Sequence, residues 1–89
     1  MRVASAIKTK LTEALAPEVL DLVDESHLHA GHAGARPEGE SHFRVRVVSA
    51  AFDGLNRVAR QRLVYKTLAD EMKTDIHALA IDAKAPSEA

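Results

Sequence analysis

The 89-residue sequence predicts a two-layer α+β domain of order α-β-β-α-α-β, with three strands in one mixed sheet and the helices on one face. Three observations lead there. Apolar residues recur at every fourth position at Val3, Ile7, Leu11 and Leu15, which is one helical stripe. Three short segments alternate apolar with polar residues, as half-buried strands do. The stretch between the second and third of these segments has helical periodicity, so it reads as a crossover joining two parallel strands. A chain of this size buries only about 60 to 65% of its unfolded surface, so a single small core and modest stability are expected.

The first helix runs from Arg2 to Leu15 and stops at Ala16-Pro17, because a proline disfavours helical geometry in the residue before it. Leu20 and Leu22 alternate with Asp21 and lead into Asp24-Glu25-Ser26, a short strand with one face in the core. From His27 to Ser41 the chain holds Gly31, Gly34, Gly39 and Pro37, and it lacks the periodicity of a packed element, so it reads as a loop. Phe43, Val45 and Val47 then alternate with His42, Arg44 and Arg46, a second strand antiparallel to the first with a basic outer face. After Phe52-Asp53-Gly54, Asn56 can cap a short turn through Arg60, and Val64, Tyr65, Leu68, Ala69 and Met72 form the core stripe of the helix that follows. Leu79 and Ile81 alternate with Ala78, Ala80 and Asp82 in a third strand, reached by a right-handed crossover. The expected organisation is a single domain over residues 1–84 and a polar, flexible tail at 85–89, with no internal repeat.

Composition narrows the function. With no Trp and 3% aromatics there is no platform on which bases or sugars could stack. A formal charge of −1 argues against nucleic-acid binding by bulk charge, yet Arg57, Arg60, Arg62 and Lys66 lie on or near one helix and could contact phosphate, with Arg44 and Arg46 on the strand. Against that, solvated helices commonly carry several cations, and Asp70 and Glu71 follow closely. The stretch from Met1 to Leu15 carries Arg2, Lys8, Lys10 and Glu13 and has no continuous apolar run, so neither a signal peptide nor a membrane span is expected there. With no disulfide available, the expected compartment is a reducing cytoplasm.

The chain has no cysteine and five histidines, four of them (His27, His29, His32, His42) in one short stretch. Soft-metal chemistry here must use imidazole nitrogen and take thiolate from elsewhere. His27-x-His29-x-x-His32 could hold zinc or nickel, although structural zinc takes four ligands and ordering the loop costs entropy. His42, opening a strand beside Phe43, reads as structural, hydrogen-bonded near the base of the loop. His77 opens the third strand just after the long helix, where a side chain can stand at the sheet edge and face a partner; the simpler alternative is a ring that caps the helix end. Asp24-Glu25-Ser26-His27 is no preformed triad, because neighbours on an extended strand point to opposite faces. Neither an enzyme nor a small-molecule substrate is expected.

Five blocks carry a resemblance to a known family: Asp24-Glu25-Ser26, Ser41-His42-Phe43, Phe52-x-Gly54, Arg60-x-Arg62-x-Val64-Tyr65 and Ile76-His77-Ala78-Leu79. In order and spacing the chain resembles the BolA family from about Ile7 to Lys84. Two departures are a longer, histidine-richer loop and Gln61, where the family usually has a histidine between two arginines. The resemblance implies a fold similar to the class II KH domain and a partnership with monothiol glutaredoxins. In such complexes a bridging two-iron two-sulfur cluster is held by the glutaredoxin cysteine, a glutathione thiol, the histidine matching His77 and often a residue of the loop between the first two strands. Counting from Glu25-Ser26, His29 best fits that loop position, with His27 and His32 as alternatives. Neutral imidazole is an accepted substitute for thiolate on one iron of such a cluster, and a chain without thiolate makes a plausible half-site. An unperturbed histidine is mostly neutral near pH 7, so cluster affinity should fall below about pH 6.5. Some BolA-like proteins are described as DNA-binding regulators, which keeps the basic helix as a second functional reading. The Gly-x-x-Gly loop that clamps backbone in true KH domains is absent.

Overall fold

The computed structural model describes residues 2–25 and 42–89. The elements are α1 (Arg2–Leu15), β1 (Val19–Asp24), β2 (His42–Val48), a 3-10 turn (Ala50–Phe52), α2 (Arg57–Thr67), α3 (Ala69–Thr74), β3 (Ala78–Lys84) and a second 3-10 turn (Pro86–Glu88). The strands form one sheet of order β1-β2-β3. β1 runs antiparallel to β2 with Val19 opposite Val48 and Asp24 opposite Phe43, and β2 runs parallel to β3 with His42 opposite Ala78. This is the mixed three-stranded α+β architecture expected from the sequence. Among the described residues no helix is long and apolar enough to cross a membrane.

The four-residue stripe of α1 is buried in full. Val3, Ile7, Leu11 and Leu15 meet Phe43, Val45 and Val47 of β2, Leu79 of β3 and Val64 and Leu68 of the crossover in one core. Full burial of each large aliphatic chain stabilises the fold by about 1.5–3 kcal/mol, and α1 owes its stability to this packing, having no acidic residue in its first turn and no basic one in its last. It ends on Ala16, whose φ of +44° is left-handed, with the Ala16 N–H donating to the Thr12 carbonyl at 3.0 Å. The buried Ser49 hydroxyl donates to the Leu15 carbonyl at 2.5 Å and accepts from the Ala51 N–H at 3.1 Å, so one side chain ties the end of α1 to the first 3-10 turn.

The open face of the sheet is less basic than the sequence suggests. Arg44 and Arg46 do point outward, but Glu25 meets Arg44 at 3.1 Å and Asp21 meets Arg46 at 3.8 Å. Register explains it: Asp21 is the antiparallel partner of Arg46, which puts opposite charges side by side.

The crossover also differs from expectation. Asn56 accepts from the Ala59 N–H at 2.8 Å and starts α2, which continues through Arg60 without a break to Thr67. The interruption falls at Leu68 (φ −104°, ψ 22°), and α3 restarts the helical phase there. Val64 and Leu68 are buried as predicted and Met72 is half-buried, but Ala69 and Tyr65 face outward. Tyr65 keeps its hydroxyl on the Leu79 carbonyl at 3.4 Å. Glu71 turns inward beside the core, where Lys10 of α1 meets it at 2.8 Å; this hydrogen bond holds the Lys10 ammonium above its usual pKa of 10.5.

Residues 85–89, the expected tail, turn back on the domain. Ala85 is part of the core, and the Glu88 carboxylate accepts from the Ala85 N–H at 2.7 Å and from Arg60 at 2.6 Å. The bond from Arg60, followed by that from Ala85, holds the Glu88 carboxyl below its usual value.

Candidate functional site

Strand direction assembles one end of the molecule. Because β2 and β3 are parallel, their first residues, His42 and Ala78, lie side by side, and because β1 is antiparallel its last residues reach the same end. The Glu25 N–H closes that end by donating to the His42 carbonyl at 2.7 Å. His77 precedes β3 in a bend held on both sides: buried Ile76 donates its N–H to the Glu71 carbonyl at 2.8 Å, and buried Leu79 anchors the strand start. Between these anchors His77 and Ala78 are exposed.

His77 is therefore a surface imidazole on a fixed backbone. Its ring packs against that of His42, with centroids 5.0 Å apart and planes tilted by 49°. His42 is only 5% exposed, which agrees with a structural role at the base of the loop. The contact between the two rings was not anticipated. The signal for it was present: aligning the starts of two strands predicted to be parallel puts residue 77 beside residue 42.

His27, His29 and His32 lie outside the described residues, within a segment that leaves the sheet at Glu25 and returns at His42. Both attachment points are at the His77 end. Among the described residues no group of three or more His, Cys, Asp or Glu side chains is placed to hold a metal ion, so the described part of the chain presents one exposed imidazole.

The basic helix divides. Arg57, Arg62 and Lys66 are exposed on α2. Arg60 is not available with them: its side chain is 14% exposed and its guanidinium donates to the Ala83 carbonyl at 3.3 Å and to Glu88. It lines a groove with Arg57, Gln61, Ile81 and Lys84, towards the end of β3 opposite His77. Sequence reasoning counted Arg60 as a phosphate contact because its acceptors are 23 and 28 residues away.

Comparison with known proteins places this arrangement. The family model described as BolA-like protein matches residues 11–88. BolA-like protein 1 from Homo sapiens is 52% identical over 86 residues, covering 97% of this chain and 60% of that protein, so the chain spans less than two thirds of its length. The DNA-binding transcriptional regulator BolA of Vibrio cholerae is 48% identical over 79 residues, covering 89% of this chain and 71% of that one. Among solved structures, the BolA domain of SufE1 from Arabidopsis thaliana superimposes with a TM-score of 0.86 at 46% identity, over 96% of this chain and 93% of that one. With the fold, nearly the whole length and close to half of the residues shared, the chain belongs to the BolA family.

Proposed function

We propose that this protein is a BolA-like adaptor that binds a monothiol glutaredoxin and shares a bridging two-iron two-sulfur cluster with it, in cluster trafficking or iron-responsive regulation in the cytoplasm. It binds and does not catalyse. The observation that supports this reading most directly is His77, an exposed imidazole on an anchored bend in a chain that has no cysteine. The donor set fits a half-site: His77 supplies one nitrogen, His29 or its alternatives His27 and His32 a second, and the partner's cysteine and a glutathione thiol the sulfur ligands. Such a cluster, when bound, supplies a transferable iron-sulfur unit. The chain's own part is to present the imidazole, cover one side of the site with the sheet end and leave the other side open to the partner. We liken the fold to a class II KH domain on its α-β-β-α-α-β order.

The test mixes the full chain with a cluster-loaded monothiol glutaredoxin and glutathione and follows visible absorption and circular dichroism. Wild type should change the cluster spectrum, and His77→Ala should remove most of that change. A glutaredoxin spectrum that wild type leaves untouched would sink the adaptor reading.

A second reading, direct DNA binding, is favoured by the Vibrio cholerae relative and by the exposed Arg57, Arg62 and Lys66. It predicts duplex affinity that falls with salt and with Arg57→Ala plus Arg62→Ala. Arg60→Ala is the wrong probe, because that side chain holds the C-terminal turn.

A further inference from the structure

We infer that His42 is a positioning residue for His77: packed beneath it, it holds the exposed imidazole in the orientation a metal ligand needs. What His77 ligates rests on the adaptor reading above; the positioning is a property of the unbound chain. Strand alternation puts residue 42 on the sheet face that carries Arg44 and Arg46. Those two are exposed, yet His42 is 5% exposed, and the ring of His77 lies against it. The separation of 5.0 Å and the 49° tilt fall within the range of favourable aromatic pairs.

The two sides of this contact differ in mobility. His42 belongs to the central strand, paired on one flank across from Ala78, with its carbonyl held by the Glu25 N–H on the other. His77 stands in the bend just before β3 begins, and its exposed ring would otherwise rotate freely. A loose side chain must be ordered when it binds, at an entropic cost; a ring already seated on a rigid neighbour has met that cost in the fold. Geometry also assigns the roles: the exposed ring faces a partner, and the buried one lies behind it.

The experiment compares His42→Ala, which removes the ring, with His42→Phe, which keeps a ring and loses both nitrogens. In the chain labelled at histidine, carbon relaxation of the His77 ring should show a drop in order in His42→Ala and near wild-type order in His42→Phe. Titrated against cluster-loaded glutaredoxin, His42→Ala should bind about two- to tenfold more weakly, with a smaller cluster circular dichroism signal, and His42→Phe should recover both. Unchanged ring order in His42→Ala overturns the proposal. So does loss of binding in His42→Phe equal to that in His77→Ala with ring order intact, since His42 would then be contributing a nitrogen directly. If wild type leaves the glutaredoxin spectrum unaltered, the adaptor reading fails, and the relaxation data alone still decide the positioning.

Discussion

Ala16 offers a sharp test of the physical account of α1. Its φ of +44° lies in the left-handed region, which costs a residue with a Cβ about 1–2 kcal/mol and costs glycine almost nothing. Ala16 is exposed, so replacing it removes no packing, and the hydrogen bond from its N–H to the Thr12 carbonyl is available to glycine as well. Against the relief stands the greater freedom of glycine in the unfolded chain, about 0.5–1 kcal/mol. Ala16→Gly should therefore stabilise the domain by about 0.5–1 kcal/mol. With an unfolding entropy of about 0.19 kcal/mol/K for a chain of this length, that is a rise of about 3–5 °C in Tm. Thermal unfolding by circular dichroism measures it, and urea unfolding should show a higher midpoint with the same slope. Ala16→Val should move the other way, because a β-branched residue tolerates positive φ worst. If glycine leaves Tm equal or lower with the slope unchanged, the left-handed stop at the end of α1 is not what limits stability there.

Three further outcomes follow from the contacts described. Ser49→Ala removes a buried donor from the Leu15 carbonyl and should destabilise the domain by about 1–3 kcal/mol, read from the urea midpoint. Glu88 has its folded pKa lowered below 4.5, so its contribution is present above that value and disappears as the pH falls through the lowered one. The Tm difference between wild type and Glu88→Gln should close under acid, and a difference that persists at pH 2 would count against the Arg60–Glu88 link. If DNA binds through Arg57, Arg62 and Lys66 alone, the slope of log affinity against log salt should be no steeper than about −2.7, whereas a slope near −5 would mean that about three further cations also reach phosphate.

The parts of the fold that rest on local periodicity were legible in the sequence. The α1 stripe and the alternation in β2 needed only the spacing of apolar residues, the antiparallel pairing followed from two consecutive strands joined by a loop, and the parallel one from a helical crossover. What failed was the width of one stripe and long-range contact. The stripe from Val64 to Met72 was drawn too wide: Val64, Leu68 and Met72, four residues apart, face inward, while Tyr65 and Ala69, each one residue and about 100° further round, face outward. The C-terminal turn closes locally through Glu88 on the Ala85 N–H, but its tie to α2 depends on Arg60 reaching Glu88 across 28 residues, and neither residue announces that contact locally. At the candidate site, the topology located His77, and only register could add His42 beside it.

The same pairings bear on the choice between the two readings of function. Counted along the chain, the arginines suggest a cationic surface able to follow a phosphate backbone. In the folded domain Arg44 is answered by Glu25, Arg46 by Asp21 and Arg60 by Glu88, so the attraction left for a polyanion rests on fewer side chains than the sequence advertises. Arg57, Arg62 and Lys66 remain on α2, and few phosphate contacts give weak, salt-sensitive association. The histidines change in the opposite direction. Dispersed in sequence between position 42 and position 77, two of them meet at one end of the sheet, one fixed by burial and the other exposed beside the attachment points of the segment that carries the remaining three. Folding thus pairs off arginines that would favour DNA and leaves one imidazole, His77, exposed at the end of the sheet where the segment carrying the other three histidines is attached.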